Sequence, residues 1–352
     1  MEGFVHVSRP ARIVFGSGRI TDLAKELEQL GLSRALVLSS PFQKDDAKAL
    51  VHRLDGRAVG LFSDAAMHTP VTVTQAATEI YNQIDADCVV SFGGGSTTGL
   101  GKAIAYRTDC PQIVIPTTYA GSEVTPILGQ SEGGSKTTLV DPKVLPEVVI
   151  YDPDLTIELP ISMSITSGLN ALSHALEGLY AQDRSPISSL MAAEGIRALK
   201  TALPEILKNP QGGEARAKAL YGAWLCGTVL GSVGMSIHHK LCHVLGGTLD
   251  LPHAETHAVM LPHTIGFVDA VAPDALTPAR TIFGGELGKA LFAFCGDLRA
   301  PQSLKNLGME EKDIEPVIKA ALANPYWCPR PVEYEPLKAL MIRAWAGDMP
   351  DH

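Results

Sequence analysis

No Lys/Arg-rich block occurs in this 352-residue chain, and 29 basic against 38 acidic side chains leave a formal charge of −9. That balance is a poor match for a polyanion, so nucleic-acid binding drops out first. A small anion stays compatible, because a local pocket can be positive whatever the total charge. No CxxC pair is present. The six cysteines (Cys88, Cys110, Cys226, Cys242, Cys295, Cys328) lie far apart, which reads as reduced thiols of a cytoplasmic protein rather than a disulfide framework. The N-terminus, MEGFVHVSRPARIVFGSG, lacks a charged region followed by an apolar one, so no secretory signal is read. There is no Gly-X-Y or heptad period, no internal repeat and no low-complexity tract. Residues 219–237 are uncharged over a length that would span a bilayer. They contain Gly222, Gly227, Gly231 and Gly234 and run into His238-His239-Lys240, so they read as a buried helix, and no membrane partner is expected.

What is present is a globular composition, 45% hydrophobic and 19% charged, long enough for about two domains at roughly 150 residues each. Short apolar runs at 34–39 (RALVLS), 59–62, 87–92 (DCVVSF), 112–116 (QIVIP) and 147–151 (EVVIY) alternate with helical patterns at 45–54 and 72–84. This alternation predicts βα units and a mostly parallel sheet. A polar, turn-rich segment separates the last two runs. Beyond Asp152-Pro153-Asp154 strand patterns become scarce, and helical ones follow at 164–180, 186–201, 213–243 and onward to 346. The reading is an α/β nucleotide-binding domain over 1–157 and an all-α substrate and catalytic domain over 158–352.

The 87–92 run leads into Gly93-Gly94-Gly95-Ser96-Thr97-Thr98-Gly99-Leu100-Gly101-Lys102. Strand, glycine turn and helix together form an anion device: glycines let the backbone approach closely, and the new helix offers unpaired N–H groups. Neither GxGxxG nor GxxxxGK[ST] is matched. One βα unit later, Pro116-Thr117-Thr118-Tyr119-Ala120-Gly121-Ser122-Glu123 places hydroxyls where open α/β sheets bind ligands.

Six of eleven histidines crowd into 236–263. His239 and His243 are spaced i, i+4, as are Asn170 and His174, so each pair shares a helix face. His253 follows Leu251-Pro252 and is expected to start a new element. Such a set suits either a divalent metal or a metal-free pocket of donors and acids. Asn170 stands where a carboxylate would complete a metal site, and a neutral amide is a weak ligand. The reading therefore tilts to the metal-free pocket.

In these motifs the chain resembles the iron-containing (group III) alcohol dehydrogenase family. The family's GGGS loop matches Gly93–Ser96, its PTT…GSE loop Pro116–Glu123, and its DPxL turn Asp152–Leu155. Its metal-site aspartate falls on Asn170, and its three metal histidines fall on His174, His239 and His253, with His243 between the last two. The resemblance implies a dehydroquinate synthase-like architecture and a cofactor site made of Gly93, Gly94, Gly95 and Ser96 at the pyrophosphate. Thr117, Thr118 and Ser122 would lie near the nucleotide, with Lys136 in the following loop. Ser39 replaces the aspartate that many relatives place at the adenosine ribose, so NADH is the expected cofactor, with NADPH as a second option. Asn170, Tyr119-Ala120, Asn324-Pro325-Tyr326-Trp327 and Pro329-Arg330-Pro331 look like a subgroup that reduces the double bond of maleylacetate to give 3-oxoadipate in aromatic-compound breakdown. For that reaction His243, His239, His174, His253 and Asn170 are the expected catalytic residues, with His243 as acid or donor and no metal. Lys102 and Arg330 are candidates for the substrate's carboxylates, although an ion pair is the expected role of Arg330. A homodimer is expected by family analogy. The rival readings are an iron- or zinc-dependent alcohol or polyol dehydrogenase, a lyase of the dehydroquinate-synthase type, and a non-enzymatic binding protein.

Overall fold

The computed structural model describes residues 4–6, 11–133 and 135–351, apart from the side chains of residues 135 and 136. The chain divides into two compact units, Arg9–Leu159, and Pro160–His352 together with Met1–Ser8.

In the first unit six strands form one parallel sheet: β1 (Arg12–Phe15), β2 (Ala35–Leu38), β3 (Ala58–Phe62), β4 (Cys88–Gly93), β5 (Gln112–Pro116) and, after a hairpin, β8 (Val148–Tyr151). Their spatial order is β1-β8-β5-β4-β2-β3. Every residue of β2, β4, β5 and β8 is buried, as expected for apolar runs covered on both faces. Alternate side chains serve opposite faces: Val37, Val90 and Ile113 meet Leu23 and Leu50, while Leu36, Leu38 and Val89 meet Tyr81, Leu100 and Ile104. From β2 the chain crosses to β3 on one side, and from β4 to β5 on the other. The carboxyl ends of β2 and β4 therefore flank a topological switch point, the position where open sheets of this kind bind ligands.

Two elements differ from the sequence reading. The edge strand β1 pairs with β8, although its pattern is too short and too exposed to announce itself. The polar segment after residue 116 contains an antiparallel hairpin of β6 (Ile127–Glu132) and β7 (Ser135–Val140), turned at Gly133 with φ +56. Its strands are rich in Gly, Gln, Ser and Thr, so composition hid them. Lys136 accordingly stands in β7, opposite Ser131, and not in a loop; its side chain is outside the described part.

The regular elements of the second unit's described residues are all helices. At its centre Ile161–Tyr180 is buried at every position from Gly168 to Tyr180, surrounded by Pro186–Lys208, Gly213–Leu230 and His253–Asp269. The pattern read as one helix over 213–243 is two, Gly213–Leu230 and Ile237–Leu249, because residues 231–236 leave the helix at Gly231 and Gly234. No helix among the described residues is long and apolar enough to cross a membrane. His253–Asp269, buried from Thr256 onward, is approached by Leu287–Asp297 at the small pair Gly266 and Gly288. A Cβ on Gly288 would lie 2.8 Å from the Gly266 Cα and 3.1 Å from the Pro262 carbonyl oxygen. Backbone cannot rotate away as a side chain can. Gly288→Ala is therefore expected to cost about 1–3 kcal/mol through overpacking, read as a lowered midpoint in urea unfolding, whereas Gly285→Ser, with nothing within 4 Å but a φ of +60, tests backbone strain alone.

Candidate active site

In the α/β unit, β4 ends at Gly93, whose φ of +152 and whose neighbours Thr97 Oγ1 and Gln43 Oε1, 2.6 and 2.9 Å from any added Cβ, exclude a side chain. The helix Gly95–Thr108 then begins with no side-chain cap. Thr97 and Thr98 N–H bond to the Gly94 carbonyl at 3.1 Å each, which leaves the N–H groups of Gly95 and Ser96 without an acceptor in the helix, and the dipole end is positive. A Cβ on Gly94 would reach Thr118 at 2.9 Å, so the loop stays narrow, with Gly95 exposed and Ser96 half-buried. Thr117 N–H bonds to the Gly93 carbonyl at 3.1 Å, which joins the two carboxyl-end loops. The hydroxyls of Ser39, Thr97 and Ser122 are buried without hydrogen-bond partners. An uncapped, narrow helix start beside Thr97 and Thr118 suits a pyrophosphate, so these residues fit a nicotinamide dinucleotide.

Lys102, offered above as a carboxylate binder, has another task. It is 1% exposed, and its Nζ donates to the carbonyls of Ser122 (2.6 Å), Thr125 (2.6 Å) and Ile127 (2.9 Å). Burial pushes its pKa down to about 7, with Glu123 opposing that shift. The side chain pins the 122–127 segment and cannot reach a ligand. Arg330 likewise finds no carboxylate among the described residues: it donates to the Phe267 carbonyl at 3.0 Å and covers the Phe267 ring at 4.0 Å.

In the helical unit the imidazoles gather. His174 and His239 have ring centroids 4.9 Å apart, His239 and His257 5.1 Å, His253 and His257 4.5 Å, and His239 and His243 6.0 Å. His253 opens a helix, as expected from Leu251-Pro252. Sequence reasoning passed over the group that organises them, Glu177, which lies three residues beyond His174 on the same helix face. The carboxylate is fully buried and takes four donors: Ser236 N–H (3.0 Å), His238 N–H (2.7 Å), Tyr180 O–H (3.1 Å) and His239 Nδ1–H (2.6 Å). Burial alone would raise its pKa; His239 and the other donors outweigh that and bring it to about 2. A four-donor carboxylate has no acceptor site left.

Tautomers follow. His239 gives its Nδ1 proton to Glu177, and its Nε2 bonds His174 Nδ1 at 2.9 Å. Thr264 gives its proton to the Met260 carbonyl, so it accepts from His238 Nδ1 at 2.9 Å. His238 Nε2 then accepts from His257 Nδ1, also at 2.9 Å. Burial first, and the neighbouring imidazoles second, lower His238 to about 3 and His257 well below the ordinary value. His243, half-buried at the edge of the cluster, bonds Tyr326 OH through Nδ1 at 3.3 Å. Asn170 is 5% exposed; its Oδ1 has no hydrogen-bond partner and its carbonyl accepts from Ser173 Oγ.

A divalent ion would have to displace hydrogen bonds within this donor set. Both nitrogens of His239 are committed, Asn170 brings no charge, and the nitrogens of His238 and His257 that face each other already share a proton. Cys242, the other potential ligand beside His238 and His257, is held as a thiol by burial, its pKa raised well above the usual value.

These protonation states make the protein acid-sensitive. His238, His257 and His263 (lowered to about 4 by burial) are folded neutral, whereas the unfolded chain protonates them below about 6.5. The histidine contribution to stability is therefore full above that pH and falls by about 1.4 kcal/mol per pH unit for each such histidine below it. Glu177, ordinarily near 4.5, adds a further loss between there and about 2. Urea midpoints measured from pH 8 to pH 5 are expected to drop from about pH 6.5; a flat profile would contradict the neutral assignment.

Two family models match the chain: iron-containing alcohol dehydrogenase over residues 10–153, and the Fe-containing alcohol dehydrogenase family, C-terminal, over 164–345. The chain is 62% identical over 351 residues to a maleylacetate reductase of Rhizobium sp. (strain MTP-10005), covering 100% of each. It is 52% identical over 345 residues to one of Sphingobium indicum, covering 98% of each. The crystal structure of maleylacetate reductase from Agrobacterium tumefaciens superimposes with a TM-score of 0.97 at 61% identity, covering 99% of this chain and 100% of the other. With both of its units matched end to end, the chain belongs to the iron-containing alcohol dehydrogenase family.

Proposed function

We propose that the chain is an NAD(P)H-dependent oxidoreductase that reduces the carbon–carbon double bond of maleylacetate to 3-oxoadipate without a metal ion. The observation that carries the activity is identity of 62% across the whole chain with a reductase of that name. Asn170 and the two committed nitrogens of His239 support the metal-free form. Its absence of a carboxylate at the adenosine end, with Ser39 in that place, supports use of both NADH and NADPH.

The chemistry explains why imidazoles suffice. Reducing a ketone builds charge on a strongly basic alkoxide, where a metal is worth most. A conjugated 4-oxo dicarboxylate instead receives hydride at the alkene carbon β to the ketone, which a bound reduced nicotinamide supplies, and the charge moves to a less basic enolate oxygen. In the helical unit His243 and His253 are half-buried beside a buried set, and His243 is suited to donate to that oxygen or to protonate the adjacent carbon. If Tyr326 O–H donates to its Nδ1, the ring proton stands on Nε2. His174, His239 and Asn170 shape the polar wall behind it, and Glu177 holds their orientation. His253 belongs to the same group through His257. We further propose a cytoplasmic homodimer joined along the β1 edge, which sedimentation tests; the described cysteines are all free thiols, in keeping with a reducing compartment.

The test is nicotinamide oxidation with maleylacetate by chelator-treated protein, with elemental analysis alongside. Full turnover without stoichiometric iron or zinc is expected, with NADH and NADPH giving kcat/KM values within about tenfold of each other. His243→Ala is expected to lower kcat by about 10²–10⁴-fold, the usual worth of general acid help. Activity that returns only on adding a metal would contradict the proposal.

A further inference from the structure

A fully exposed phenylalanine stands at the switch point. Phe42 is 98% exposed, the most exposed large hydrophobic side chain among the described residues. Single exposed apolar residues are common and need no function. Two features set this one apart.

The first is position. β2 ends at Leu38, Ser39 follows, and the 3-10 turn Pro41–Gln43 carries Phe42 directly over the carboxyl end of the strand adjacent to β4. The glycine loop occupies the end of β4. A dinucleotide whose pyrophosphate sits on that loop extends one half toward β2, which in doubly wound sheets is the adenosine half. The second is rigidity. Pro41 fixes the start of the turn, Gln43 N–H closes it onto the Ser40 carbonyl at 3.1 Å, and Gln43 Nε2 reaches across to Thr117 Oγ1 at 3.0 Å. Ser39 is itself held on both sides, by N–H to the Phe62 carbonyl (2.9 Å) and by its own carbonyl to Ala65 N–H (3.1 Å). The ring is thus presented to solvent by a backbone tied into the sheet, next to a residue bonded to the Thr117 loop. Fixing the backbone before a ligand arrives removes part of the ordering cost of binding, with the ring left to settle on its partner.

We infer that Phe42 is the adenine-stacking residue of the dinucleotide site. A purine has two apolar faces, and a phenyl ring is a sequence-independent platform for either. The inference rests on the cofactor reading above and adds the residue that grips the non-reacting end.

Calorimetric titration of the full chain with NADH, ADP-ribose and reduced nicotinamide mononucleotide tests it. Phe42→Ala is expected to weaken NADH and ADP-ribose by about tenfold each, the scale of one lost aromatic–base stack, and to leave the mononucleotide unchanged; Phe42→Trp is expected to retain all three affinities. Because the side chain is exposed, neither substitution threatens the fold. Unchanged ADP-ribose affinity in Phe42→Ala overturns the inference, as does an equal loss for the mononucleotide or a change only in sedimenting mass. Wild-type protein that binds neither NADH nor ADP-ribose would instead overturn the cofactor reading itself.

Discussion

One buried carboxylate governs the helical unit. Glu177 is enclosed on the central helix and cannot be solvated by water, so it stays charged only because four donors converge on it. Two of those donors are the backbone N–H groups of Ser236 and His238, at the very point where the 231–236 break ends and the next helix begins. The carboxylate thereby substitutes for the missing helix cap and sets the direction of Ile237–Leu249. A third donor is His239, whose tautomer then dictates that of His174. Chain geometry and imidazole chemistry thus depend on the same group, and losing one partner of such a pair leaves an uncompensated buried charge.

The α/β unit relies on a buried cation in a parallel way. Lys102 lies about two turns into the helix that starts at the glycine loop, and its side chain holds three carbonyls from Ser122 to Ile127. Helix start and hydroxyl loop are consequently fixed to each other by one side chain. Gly93, Gly94 and Gly95 supply a narrow approach, and Lys102 keeps it from collapsing or widening. Neither charged group is aimed at a ligand; each positions the groups that are.

The amide at position 170 bears on what the histidines do. With a carboxylate at 170, three imidazoles would turn lone pairs toward an ion. With an amide there, they bond to each other in two pairs, His174–His239 and His238–His257, and one anion serves the whole cluster. Burial keeps His238 and His257 neutral, while His239 gives its Nδ1 proton to Glu177.

Much of this was legible from residue order. Apolar runs of four to six residues gave the parallel strands, because burial on both faces requires continuous rather than alternating hydrophobicity. The glycine run after β4, the paired i, i+4 spacings and the Pro252 break before His253 are local signals, and local physics decides them. The hairpin of Gly, Gln, Ser and Thr was not legible, since its pairing comes from neighbours distant in sequence. Nor were the fates of Lys102 and Arg330: a cation's chemistry is the same whether it faces a ligand or a carbonyl, and only packing selects the partner. Glu177 lay in plain view at helical spacing from His174, yet its role depends on Ser236 and His238, about sixty residues away. Elements, their faces and their turn residues follow from short-range sterics and periodicity. Which buried charge meets which donor is decided when the helices pack, because desolvation makes an unpaired ion too costly and leaves only the fully paired arrangement.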